Sequence, residues 1–158
     1  MTELPAEAAT TFVADWFTQN GFDIQIARVK GYGSEALQGL QGQRDFPVIL
    51  LRREDQTVGV VVVKHKRDGA VLFRRTGDRT TGWDADLHEA FMQVEARGVP
   101  VVVCFVHEAD GEARMERLSR LPIANMWTPP RGSFNTASYF VLWESLPLRL
   151  PLSAQAEA

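Results

Sequence analysis

Lys64, His65 and Lys66 follow four consecutive valines, Val60 to Val63, and set basic groups at the end of an apolar run. Alternate side chains of an extended chain share a face, so Lys64 and Lys66 point one way and His65 the other. Two lysines on one face suit the phosphate backbone of DNA, a contact that gives affinity without reading sequence. The cations continue beyond the strand. Residues 64–79 hold Lys64, Lys66, Arg67, Arg74, Arg75 and Arg79 against Asp68 and Asp78, in a chain whose net charge is −3. A solvated basic hairpin accounts equally for such a cluster. Acids are distributed differently: residues 1–27 carry Glu3, Glu7, Asp15 and Asp23 with no Lys or Arg, and Asp45 stands alone nineteen residues before Lys64, just ahead of Phe46-Pro47.

Other chemistries find little support. Three histidines and one cysteine, His65, His88, His107 and Cys104, make a poor transition-metal set, and one cysteine cannot form an internal disulfide. Cys104 lies inside the most apolar run and reads as an inert thiol rather than a nucleophile. Gly31-Tyr32-Gly33 lacks the third glycine and the helix start of a dinucleotide fingerprint, and neither a P-loop nor a zinc finger is present.

The elements that must position these residues follow from periodicity. Ala9, Phe12, Val13, Trp16 and Phe17 recur at helical spacing, and Asn20-Gly21 stops that helix. Phe22 to Val29 alternates apolar and polar as a half-buried strand does. Gly31, Gly33, Gly39 and Gly42 mark a flexible stretch. Phe46–Leu51 and Val58–Val63, joined by Glu54-Asp55-Gln56, read as a hairpin, and Ala70–Arg75 as a short further strand followed by a loop over 76–82. A second helix begins after Asp84, with Leu87, Ala90, Phe91 and Val94 on one face and Gly98 at its end. Val99–Val106 is an apolar run of the kind covered on both faces of a sheet. Residues 113–121 are expected to form a short amphipathic helix, 127–133 a Pro/Gly loop, 138–143 a last strand, and 151–158 a flexible tail.

The order helix, three-strand meander, helix, strand is αβββαβ: an α/β class with a mixed central sheet flanked by helices, within a single domain over residues 1–150. With Asp45 before the second strand and Lys64 ending the third, residues 8–107 resemble the restriction-endonuclease-like PD-(D/E)XK superfamily. The resemblance implies a Mg²⁺-dependent deoxyribonuclease in which Asp45 resembles the metal-binding aspartate and Lys64 the motif lysine. Val62 stands where the second acid belongs and cannot hold Mg²⁺, so another carboxylate must replace it. Glu7 on the first helix and Asp84 before the second are the candidates, and His88 resembles loosely a polar residue that approaches the site in resolvase-like members. With about 100° per residue, Asp84, His88 and Glu95 lie on one flank of the second helix's apolar stripe while Glu89 points away. Each residue has a plainer reading as well. Asp45 caps a turn before Pro47, Lys64 ends an aggregation-prone run, Glu7 complements the helix dipole, and Asp84–His88 is a surface pair.

The expected function is therefore DNA processing on a nuclease-like fold, as a divergent endonuclease or resolvase, with Lys66, Arg67, Arg74, Arg75 and Arg79 on the DNA backbone. The alternatives are an inactive nuclease-fold DNA-binding module and a non-enzymatic interaction domain docking through Trp127, Tyr139 and Trp143. A homodimer is compatible with any of these. No apolar run reaches the roughly 20 residues of a membrane span, and the amino terminus lacks a signal-peptide pattern, so a cytoplasmic location is the default expectation.

Overall fold

The structure is a computed structural model that describes residues 6–30, 35–40, 43, 45–130 and 137–152. The glycines at 31, 33 and 42, residues 131–133 of the expected loop and residues 153–158 of the expected tail lie outside the described residues. Among these described residues, no helix is long and apolar enough to cross a membrane.

Helix α1 (Ala6–Gln19) buries Ala9, Phe12, Val13 and Phe17, the stripe its periodicity demands. Strands β1 (Asp23–Arg28), β2 (Pro47–Arg53) and β3 (Gln56–Lys66) form an antiparallel meander. Its tight turn places Glu54 and Asp55 at positive φ, a conformation that a short polar turn residue such as Asp tolerates best. After β3 come β4 (Val71–Phe73), β5 (Asp78–Asp84), α2 (Ala85–Ala96) and β6 (Val101–His107). β6 lies parallel to β3, with Val62 beside Val103 and Lys66 beside His107. The chain closes with β7 (Glu112–Arg117), β8 (Ile123–Trp127), β9 (Ser138–Leu142) and β10 (Leu148–Pro151).

Two sheets result. The larger is mixed, in the order β1-β2-β3-β6-β7-β10, and the smaller runs β4-β5-β9-β8. One face of the large sheet packs on α1 through Ile49, Leu51, Val61, Cys104 and Val106. The other buries Val60, Val62, Val103 and Phe105 against α2 and the small sheet, whose Trp83 and Val141 enter the same core. Because β3 and β6 are covered on both faces, their sequences read as continuous apolar runs rather than alternating ones.

The αβββαβ order is present, with the β4–β5 hairpin inserted between its third strand and second helix. Three sequence expectations are corrected. Residues 78–84 are a strand rather than part of a loop, since Thr81 and Trp83 alternate inward and pair with β9. Residues 112–117 form β7 rather than a helix, because Ala113 and Met115 share the α1 face with period two while Arg114 takes the other. Edge strands β8 and β10 are additional, and Pro151, assigned above to the tail, pairs with Glu112.

Candidate nucleic-acid interface

The face of β3 decides which residues can act together. Lys64 alternates with Val60 and Val62 and therefore faces α2, and its ammonium stands 6.0 Å from the centre of the Trp83 ring. Trp83 Nε1 donates to His88 Nδ1 at 3.1 Å, and the His88 ring contacts Tyr139 edge-on at 5.0 Å. Trp83 thus bridges Lys64 and His88, two of the residues singled out from sequence. Burial beside these rings is the main cause that pushes the His88 pKa below its ordinary value, with Glu89 and Glu95 acting weakly the other way.

Asp45 is placed elsewhere. Its Oδ2 accepts from Arg28 Nε at 2.8 Å and its Oδ1 from the Lys30 backbone N–H at 3.1 Å, so it leans toward β1, on the side of β2 away from β3. The Arg28 hydrogen bond, the Lys30 N–H and the two positive charges lower its pKa despite some desolvation. Asp84 caps α2, its Oδ1 accepting from the N–H groups of Asp86 and Leu87 at 2.8 and 3.1 Å. Glu7 is exposed in the first turn of α1, and Val62 is fully buried.

These placements test the fit of Mg²⁺. A hard cation needs several convergent oxygens. Asp45 has both oxygens engaged by donors, Val62 offers none, Asp84 is committed to a helix end, and no group of three or more His, Cys, Asp or Glu able to hold a metal occurs among the described residues. The described residues do not fit the ion.

The carboxyl ends of the parallel strands β3 and β6 hold a denser polar layer, at the edge of an α/β sheet where ligands commonly bind. His107 ends β6 on the α2 face, wholly buried. Its Nδ1 donates to Asp110 Oδ2 at 3.1 Å, which leaves Nε2 to accept from the Thr81 hydroxyl at 2.9 Å. Hydroxyl, imidazole and carboxylate in a row is also the arrangement of an activated nucleophile. Here Thr81 is 2% exposed and His107 0%, so no substrate reaches the hydroxyl and the row is a structural tie between the two sheets. Desolvation lowers the His107 pKa, Lys66 and Arg79 add to that, and Asp110 opposes it.

Trp143 stacks flat on His107 at 3.9 Å, and the Arg114 guanidinium sits 4.8 Å from the Trp143 ring centre. Arg114 is held by Glu112 and the Trp143 carbonyl, while the buried Trp143 Nε1 has no hydrogen-bond partner among the described residues. Arg79 is drawn into this layer by Glu144 and Asp110, so it does not extend an exposed basic surface with Arg74 and Arg75. On the α1 face His65 pairs with Glu108 at 2.9 Å.

No family model matches the chain, and no curated protein or solved structure is detectably similar to it.

Of the candidate cations, four keep an outward role. Arg67, Arg74 and Arg75 are exposed and Lys66 is half-buried, and no acid among the described residues forms a salt bridge with Lys66, Arg74 or Arg75. The interlocked His107 layer escaped sequence reasoning. Its signal was the run His107-Glu108-Ala109-Asp110, with three polar residues, closing one apolar run just as Lys64-His65-Lys66 closes another, which places both at one sheet edge once the strands are parallel.

Proposed function

We propose that this chain is a DNA-binding domain on a restriction-endonuclease-like core, gripping the phosphate backbone with Lys66, Arg67, Arg74 and Arg75. Its binding role is favoured over cleavage by one observation: the position of the second metal-binding acid is Val62, sealed in the core at 0% exposure, while Asp45 is paired with Arg28. The fold reading is supported by the αβββαβ order, the meander β1-β2-β3 and the parallel β3–β6 pair. Phosphate contacts release counterions, so affinity for duplex and single-stranded DNA should fall steeply with salt.

Retention on both DNA forms is measured as salt rises. In the wild type the logarithm of affinity falls linearly with the logarithm of salt, and Lys66→Glu or Arg74→Glu each lowers the slope by about one. Absence of retention at low salt would sink the proposal. Incubation of plasmid and branched DNA with Mg²⁺ or Mn²⁺ tests the enzymatic reading, for which cleavage abolished by Asp45→Ala is the required result.

A further inference from the structure

The small sheet has two unlike faces. One sends Thr81, Trp83 and Val141 into the molecule. The other carries Phe73, Phe140 and Leu142, which belong to neither hydrophobic core. The rings of Phe73 and Phe140 meet edge-on at 5.4 Å and, with Thr80, Ala124 and Asn125, line a hollow of about 100 Å³. Phe140 pairs in register with Gly82, and directly paired residues share a face. Gly82 therefore leaves bare backbone beside the Phe140 ring. The nearest group to the place a Cβ would occupy is Lys66 Nζ, at 3.8 Å. Arg74 and Arg75 stand exposed in the turn after Phe73, and Asp78 faces Phe73 in register.

Aromatic rings beside ammonium and guanidinium groups, over an open backbone, match the chemistry of an unpaired nucleotide. Bases within a duplex stack on one another and hide their faces, whereas a single strand offers each face to an aromatic side chain and its phosphates to nearby cations. A second copy of the chain is disfavoured by charge, because it would oppose Lys66, Arg74 and Arg75 to themselves. Resting on the DNA-binding reading above, we infer that the outer face of β4-β5-β9-β8 is a stacking platform for single-stranded nucleic acid. Phe140 and Phe73 carry bases, Gly82 admits their close approach, and Lys66 with Arg74 and Arg75 holds the adjoining phosphates.

Fluorescence anisotropy with the full chain, using labelled oligothymidylate and a labelled blunt duplex, tests this. Phe140→Ala and Gly82→Val should each weaken single-strand binding at least about fivefold and leave duplex binding unchanged. Phe140→Tyr should restore it. The Gly82→Val variant guards against a folding artefact, since its Cβ meets only the Lys66 ammonium at an ordinary contact distance and valine favours strands. Single-strand affinity unchanged in both variants, while Lys66→Glu still weakens binding, overturns the platform and leaves the DNA-binding reading standing. A wild-type dimer that Phe140→Ala converts to monomer also overturns it, making the face a contact between copies. Failure of the wild type to bind either DNA form removes both.

Discussion

Asp110 accepts from the Ala70 N–H at 2.9 Å, from His107 at 3.1 Å and from Arg79, joining β6, the β3–β4 connection and β5 through one carboxylate. Gly69 makes the approach feasible: it sits at φ +77°, and a Cβ there would fall 2.5 Å from Asp110 Oδ2. Burial works against the Asp110 charge, but the Ala70 and His107 hydrogen bonds and the Arg79 charge outweigh it and lower the pKa below 3.8. His107 is also depressed, below its ordinary 6.5, so the unfolded chain takes up that proton before the folded one does. The stability that neutral His107 contributes is present above pH 6.5 and is lost as pH falls below it, and that of Asp110 is lost only below about pH 3.8. The melting temperature should decline from pH 7 to 5, and in His107→Gln the decline should be shallower; an identical pH profile would show that His107 is not the linked group. Val62 gives a second expectation at this scale. Restoring an acid by Val62→Asp would bury an uncompensated carboxylate and cost about 3–5 kcal/mol, so urea unfolding should show a severely destabilised protein rather than a repaired metal site. Alternation made the shared face of Lys64 and Lys66 legible in the sequence. The Arg28–Asp45 pairing was not, because a carboxylate before a strand suits a metal, a turn or an arginine equally, and the choice depends on which strand lies alongside.

The second helix turns on a distinction between a carboxylate that binds and one that caps. Asp84, at φ −62° and ψ 125°, holds two orphan N–H groups at the start of α2, and Asp86 adds negative charge in the first turn. Asp84→Ala should cost about 1 kcal/mol and be read as a lower melting temperature. The His88 ring, bonded to Trp83, should keep its NMR shifts in that variant; a large change would mean that Asp84 also positions His88. Helical periodicity made α1 and α2 readable, alternation of residue type β1, and unbroken apolar runs β2, β3 and β6. The missed strands had weaker signals. Thr80-Thr81-Gly82 resembled a loop although all three pair with β9 and Thr80 also with β4, and Leu118 with Leu121 completed a helical spacing that the period-two burial of Ala113 and Met115 contradicts. β8 has all five residues exposed, so burial wrote no pattern into it.

The molecule is organised around the parallel pair β3–β6, which touches α1 on one side and the α2–small-sheet layer on the other. Cys104, the only cysteine, lies in that pair at 0% exposure, beside Val63. Its thiol is pushed far above its ordinary pKa by desolvation alone. Trp83 and Trp143, also fully buried, hold the small sheet to the same centre. Loss of their fluorescence signal and of the far-UV dichroism should therefore coincide in urea, and separate transitions would mean that the small sheet detaches first. The lone thiol supplies a clock for this chain. A disulfide reagent reaches Cys104 only when the two central strands part, so under native conditions its labelling rate should equal the equilibrium fraction of molecules open at that pair times the reaction rate of a free thiol. If the chain binds DNA as proposed, adding DNA should slow the reaction in step with its affinity for the closed form, so that one inert side chain reports binding.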